Sequence, residues 1–345
     1  MWSVNKKIRV MVVDDSVLAR TMITQGLDKN PRIEIVGTAF NAVDAMSKVA
    51  QLKPDVITSD IEMPGMNGMD FLKTLLPKYP LPVILVSSLN LRVFDALSAG
   101  AVDFVRKPEP GKNDAFIEAL TQKVIAAAGA KVRRAAPASI TQAGPVAPLG
   151  NRPGLDRVII ALGASTGGTE ATLEVLKRLP ADIPGMLITQ HMPTGFTKMY
   201  AERLNRLCNM EVREARNGDE IRRGLVLLAP ADLQMRVART GVKYTVSCTP
   251  GEKVSGHRPS VDALFFSMAE QVKCKMVGII MTGMGRDGAD GLLQMRRAGA
   301  YTIGQDKESC VVYGMPMVAQ NIGAVQIQAS CENIASVLLR QLNTL

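Results

Sequence analysis

Five short apolar runs, I-R-V-M-V-V, I-E-I-V-G-T-A, D-V-I-T-S, P-V-I-L-V-S and V-D-F-V, punctuate the first third of the chain. Each is rich in β-branched residues and is followed by a helical pattern such as A-V-D-A-M-S-K-V-A-Q-L. Runs that are apolar throughout belong to strands buried on both faces, and strands alternating with helices build a parallel sheet covered on both sides. The segment from Ala130 to Gly154 breaks this rhythm: it is rich in Ala, Pro and Gly, has no sustained apolar period and reads as a linker. The alternation then resumes with R-V-I-I-A-L, G-M-L-I-T-Q and M-V-G-I-I-M-T. Between them, L-V-L-L-A and V-K-Y-T-V-S-C are expected to form a hairpin-type insertion. The expectation is two doubly wound α/β domains, flavodoxin-like at residues 6–128 and hydrolytic at residues 157–345, joined by a linker at residues 129–156.

At 345 residues the chain can bury two ordinary cores. No apolar run reaches the ~18 residues of a membrane span, and M-W-S-V-N-K-K lacks the apolar stretch of a secretory signal. Five cysteines with no C-x-x-C pair suggest neither a disulfide framework nor a zinc site, so a cytoplasmic location is expected. The net charge of +9 raises the question of nucleic acid. Relative to length the excess is densest at residues 129–157, with five Lys or Arg and one acid, and no basic patch is interleaved with aromatics. A solvated basic linker explains it, and neither nucleic-acid binding nor membrane insertion is expected.

In a parallel α/β sheet, ligands bind beyond the carboxyl ends of the strands. In the first domain those ends carry Asp14 and Asp15, Asp60, Ser87 and Ser88, and Lys107. Gathered carboxylates repel one another unless a cation binds, and oxygen-only ligands suit Mg²⁺. A carboxylate beside such a cation can accept a phosphoryl group, with Lys107 and a serine hydroxyl on the phosphoryl oxygens.

In the second domain the first strand ends in L-G-A-S-T-G-G-T, which matches the weak nucleophile-elbow pattern G-x-S-x-G at Ser165. A serine nucleophile needs a base, and the chain has two histidines, His191 and His257. His191 directly follows G-M-L-I-T-Q, at the same sheet edge as Ser165, whereas His257 sits in the loop-like S-G-H-R-P-S. Asp287, in G-M-G-R-D-G after M-V-G-I-I-M-T, supplies an orienting carboxylate. Each of the three also has a structural explanation: a helix N-cap, a satisfied polar residue at a strand end, an Asx turn. Gly283, Gly285 and Gly288 spell G-x-G-x-x-G, with Asp306 at the spacing of a ribose-binding acid. Against dinucleotide binding, Asp287 would aim a carboxylate at the pyrophosphate. Amides at the start of the helix after Ser165, Thr166 first, and the Met284 amide are candidate donors to an oxyanion.

Two resemblances follow. V-V-D-D-S, S-D-I-E-M-P-G-M-N-G, V-S-S and F-V-R-K-P resemble the motifs of two-component receiver domains. The resemblance implies phosphorylation at Asp60, Mg²⁺ held with Asp14 and Asp15, a switch hydroxyl at Ser87, a phosphoryl-contacting Lys107, and a switch aromatic at Phe104. G-A-S-T-G-G, T-Q-H-M-P, S-G-H-R-P-S-V-D and M-T-G-M-G-R-D-G resemble the catalytic domain of chemotaxis protein-glutamate methylesterases, the CheB family. That implies a Ser165–His191–Asp287 triad without a cofactor, glutamate methyl esters and certain glutamines of chemoreceptor cytoplasmic domains as substrates, and a chemotaxis histidine kinase as phosphodonor. The resemblance does not assign His257, which is expected to be structural or at the substrate's edge. The competing readings are an output domain that only binds DNA or protein, which the long run of apolar strands disfavours, and an esterase for small molecules.

Overall fold

The computed structural model describes residues 6–63, 65, 66, 68–88, 92–132, 144, 146–152 and 154–344. Most of the expected linker lies outside these. The chain divides into two compact units between residues 140 and 141.

In the first unit, β1 (Ile8–Val13), β2 (Ile33–Ala39), β3 (Val56–Asp60), β4 (Val83–Ser87) and β5 (Asp103–Arg106) alternate with α1 (Val17–Asp28), α2 (Ala42–Leu52), α3 (Gly68–Leu75), α4 (Arg92–Ser98) and α5 (Asn113–Ala127). All strand pairs are parallel, in the order β2-β1-β3-β4-β5. Every residue of β3 and β4 is buried, as the unbroken apolar runs require. Side-chain caps mark helix starts: Ser16 accepts from the Ala19 amide at 3.3 Å and Asn41 from the Asp44 amide at 2.8 Å. Such caps contribute about 1 kcal/mol each. The chain leaves β1 to one side for β2 and returns on its other side as β3. That reversal opens a crevice between the carboxyl ends of β1 and β3.

The second unit contains β6 (Val158–Ala164), α6 (Gly168–Leu176), β7 (Gly185–Gln190), α7 (Phe196–Leu207), β8 (Glu211–Glu214), β9 (Leu225–Leu228), β10 (Gln234–Thr240) and β11 (Lys243–Thr249). There follow α8 (Val261–Gln271), β12 (Lys275–Ile280), α9 (Ala289–Arg297), β13 (Tyr301–Gln305), α10 (Met315–Asn321), β14 (Ile327–Ala329) and α11 (Cys331–Asn343). Seven parallel strands form one sheet in the order β14-β13-β12-β6-β7-β9-β8. Here the reversal falls between β6 and β12, because the chain builds outward through β7 and β9 before crossing to the other side of β6. Near the start of this unit, the Leu149 and Gly150 amides donate to the Asp182 carboxylate, both at 2.9 Å. Burial alone would raise the pKa of Asp182, but those amides and the Arg223 guanidinium hold it below the usual carboxylate range.

One sequence expectation is corrected. L-V-L-L-A is not part of a hairpin: as β9 it lies parallel between β7 and β8, buried along its whole length. V-K-Y-T-V-S-C, as β11, pairs instead with β10, antiparallel from Gln234↔Thr249 to Thr240↔Lys243. A two-residue turn closes that hairpin, and its first residue, Gly241, has φ +61°, which glycine supplies without strain.

Candidate functional site

The first crevice is lined by acids. Asp14 and Asp60 are buried at the ends of β1 and β3, Asp15 is exposed, and one oxygen of each lies within 4.8 Å of the others. Lys107, just past β5, donates from Nζ to Asp60 Oδ2 at 2.5 Å and stands 4.0 Å from Asp14 Oδ2. Burial, then the neighbouring Asp60 charge, pushes the Asp14 carboxyl above its ordinary range despite Lys107. Burial would lower the pKa of Lys107, but the hydrogen bond and charge of Asp60 outweigh it and raise it. Asp14 Oδ2 is buried and has no hydrogen-bond partner among the described residues. An orphaned carboxylate oxygen in an all-oxygen cluster fits a hard divalent cation. Ser87 ends β4, beside the strand of Asp60, and its hydroxyl donates to the Ser88 carbonyl at 2.8 Å. Phe104 is buried, edge-on to Phe94 with ring centroids 6.4 Å apart.

The second crevice brings Ser165, His191 and Asp287 together. Ser165 follows β6, and its amide donates to the Thr282 carbonyl beyond the end of β12. The turn after it is tight: the Gly168 amide donates back to the Ser165 carbonyl at 2.7 Å, and Gly167 has φ +76°. A Cβ on Gly167 would stand 2.6 Å from Val311, and one on Gly168 would stand 2.3 Å from Gln190 Oε1. Gly167 therefore answers a backbone need and Gly168 a steric one. The Gln190 carboxamide ties nucleophile turn to base, donating to the carbonyls of Ser165 at 2.8 Å and His191 at 3.2 Å.

The Ser165 hydroxyl meets His191 Nδ1 at 3.1 Å, and His191 Nε2 meets Asp287 Oδ2 at 2.7 Å. Asp287 is almost fully buried, at 1% exposure. Burial would raise its pKa, but the hydrogen bond and charge of His191, the Asp262 amide and the Ser260 hydroxyl hold it below the usual carboxylate range. Of the candidate oxyanion donors, Thr166 directly follows the serine and is buried. Its carbonyl accepts from Thr282 Oγ1 at 3.0 Å. Met284 follows Gly283, where a Cβ would come within 2.7 Å of Ser165 Cβ, so that backbone runs directly against the serine. In the G-x-G-x-x-G loop, Asp287 turns inward to His191, and the Asp306 carboxylate is occupied by the Ser309 amide and hydroxyl.

His257 also reaches this crevice. Its ring stacks on that of His191, with centroids 3.8 Å apart and planes inclined by 12°. Reciprocal backbone bonds with Val254 and a bond from Gln234 Nε2 to the His257 carbonyl fix the loop that carries it. Sequence reasoning did not identify Gln190, Gln234, Ser260 or Thr282. Ser260 alone had a readable signal, a serine placed as N-cap before V-D-A-L-F-F.

A carboxylate-and-lysine pocket in one doubly wound unit, followed by a Ser-His-Asp array at the switch point of another, is the make-up of a response regulator with a hydrolytic output. Residues 10–121 match the response regulator receiver domain model and residues 160–338 match the CheB methylesterase model. A protein-glutamate methylesterase/protein-glutamine glutaminase 2 of Syntrophomonas wolfei is 48% identical over 343 residues, covering 99% of both chains. A protein-glutamate methylesterase/protein-glutamine glutaminase of Syntrophotalea carbinolica is 46% identical, covering 96% of both. The crystal structure of the Thermotoga maritima CheB methylesterase catalytic domain matches with a TM-score of 0.52 and 34% identity, covering 53% of this chain and 97% of that one. The chain belongs to the CheB methylesterase family.

Proposed function

We propose that this chain hydrolyses glutamate methyl esters, and deamidates glutamines, on the cytoplasmic domains of chemoreceptors, under the control of phosphorylation at Asp60. The observation that carries this reading is the continuous hydrogen-bonded line from the Ser165 hydroxyl through both nitrogens of His191 to the Asp287 carboxylate. His191 Nδ1 accepts the serine proton while its Nε2–H stays on Asp287, which stabilises the imidazolium that forms. Ser165 Oγ attacks the ester carbonyl, and the Thr166 and Met284 amides steady the oxyanion. As the C–O bond of the ester or the C–N bond of a glutamine breaks, His191 gives that proton to the leaving atom, and methanol or ammonia departs. His191 then draws a proton from water; the hydroxide adds to the acyl carbonyl, the bond to Ser165 Oγ breaks, and His191 passes its proton back to Oγ as the glutamate leaves and ionises.

In the receiver unit, Asp14, Asp15 and Asp60 would hold Mg²⁺, which when bound supplies positive charge to phosphoryl oxygens. Asp60 is the phosphoryl acceptor, a chemotaxis histidine kinase the donor, and Lys107 and Ser87 the phosphoryl contacts. No helix among the described residues is long and apolar enough to cross a membrane.

Methanol release from methylated receptor tests the reading. Ser165→Ala should lose about 10⁴-fold or more in turnover while melting normally. Near-normal turnover in the folded variant would sink it.

A further inference from the structure

Asp287 accepts hydrogen bonds from the start of α8 as well as from His191. The Ser260 hydroxyl donates to Oδ1 at 2.7 Å, the Asp262 amide to Oδ1 at 2.9 Å and the Val261 amide to Oδ2 at 2.8 Å. Asp287 is thus the anion at the N-terminus of α8, although it belongs to the loop entering α9. Asp262 returns the arrangement. It stands in the first turn of α8, and its Oδ1 accepts from the Gly291 amide at 2.8 Å in the first turn of α9. Its Oδ2 accepts from the Ser255 hydroxyl at 2.7 Å. Asp287, from the loop entering α9, thus caps α8, and Asp262 of α8 caps α9. The two can approach because Gly291 lacks a side chain: a Cβ there would stand 2.6 Å from Phe265 Cβ. Ser260, Asp262 and Asp287 are each no more than 1% exposed. Buried carboxylates persist only when their lone pairs are occupied, so each bond also fixes orientation.

We propose that Ser260 and Asp262 are positioning residues for the Ser165–His191–Asp287 array, holding the Asp287 carboxylate in place through this exchange of caps. The proposal rests on reading that array as the reaction centre. Ser260 acts directly on Oδ1. Asp262 acts through its own amide and by tying the start of α9, which follows Asp287, to the start of α8. A carboxylate that drifts takes the His191 ring with it, and misplacement by about 1 Å can cost about 100-fold in rate.

The test uses the full chain, with kcat and KM for methylated receptor measured separately, the rate of Ser165 labelling by a fluorophosphonate, and thermal melting. Ser260→Ala and Asp262→Ala should lower kcat about 10- to 100-fold with KM within about twofold, and labelling should slow in parallel. Asp262→Asn should keep at least about half of kcat, because its carbonyl oxygen still accepts from Gly291 and its NH₂ can donate to Ser255. A folded Ser260→Ala with full kcat overturns the proposal. So does a raised KM at unchanged kcat, or an Asp262→Asn as slow as Asp262→Ala. Should Asp262→Ala not fold, Ser260→Ala decides by the same measures. A Ser165→Ala control separates the two readings. If it is inactive beside a fully active Ser260→Ala, only the positioning role falls; if it is active, the reaction centre itself is wrong.

Discussion

Asp287 and Asp262 lie side by side, yet their surroundings shift their pKa values in opposite directions. Burial would raise Asp287, but His191 and the α8 amides draw it below the usual range, while burial prevails at Asp262 and pushes it up. A lowered carboxylate contributes stability that is complete above its unfolded pKa of about 3.9 and is lost as the pH falls through its folded value. A raised one contributes fully below about 3.9 and loses that contribution as the pH rises through its folded value. At neutral pH the stabilising charge is therefore that of Asp287. Asp287→Asn should melt earlier than the unmodified chain near neutral pH, by a margin that narrows as the pH drops below about 4. A margin unchanged down to about pH 3 would refute this assignment. Its turnover should fall severely, though less than that of Ser165→Ala, because the aspartate orients and the serine bonds. The three residues that meet here were legible because Ser165 and His191 directly follow apolar strands and Asp287 lies in the glycine loop beyond a third. The place of His257 was not, because it sits in a loop where no periodicity says which way a side chain faces, and Ser260 was legible only as an N-cap, not as a partner of Asp287.

At the scale of elements, the nucleophile turn is built by close approach. Gly167 combines φ +76° with Val311 at 2.6 Å from a hypothetical Cβ, whereas Gly218 has φ +88° and open space around it. The left-handed conformation costs a side chain about 1–2 kcal/mol at either position, and displacing Val311 adds about 1–3 kcal/mol at Gly167. Gly167→Ala should therefore destabilise more than Gly218→Ala, read from urea unfolding, and should slow fluorophosphonate labelling, which Gly218→Ala should not. Equal losses would mean that the turn tolerates the methyl group. A short apolar run is compatible with a central parallel strand or with a hairpin arm, and only a neighbour distinguishes them. The true partner of β11 carries arginines within Q-M-R-V-A-R-T, so its alternation was less visible than the unbroken L-V-L-L.

At the scale of the whole molecule, two units with the same layered plan use the same kind of crevice for different chemistry, one to accept a phosphoryl group and the other to hydrolyse. Their coupling is a statement about free energy: a 10- to 100-fold gain on phosphorylation requires about 1.4–2.8 kcal/mol of differential stabilisation. If the unphosphorylated receiver restrains the hydrolytic unit, deleting residues 1–130 should raise basal methanol release. Asp60→Ala should keep basal release but abolish stimulation by a small phosphodonor with Mg²⁺. A truncated protein no faster than the unphosphorylated whole would mean that the receiver activates rather than restrains. The exchanged caps also bear on how such a chain would decay once selection for hydrolysis is lifted. Apart from its bond to His191, Ser165 is held through backbone groups that any residue supplies, so its hydroxyl can be lost at little cost to the fold. Asp287 anchors the beginning of α8 through the Val261 and Asp262 amides. A lineage drifting toward a silent paralogue should lose its serine first and retain its aspartate long after, kept by folding rather than by catalysis.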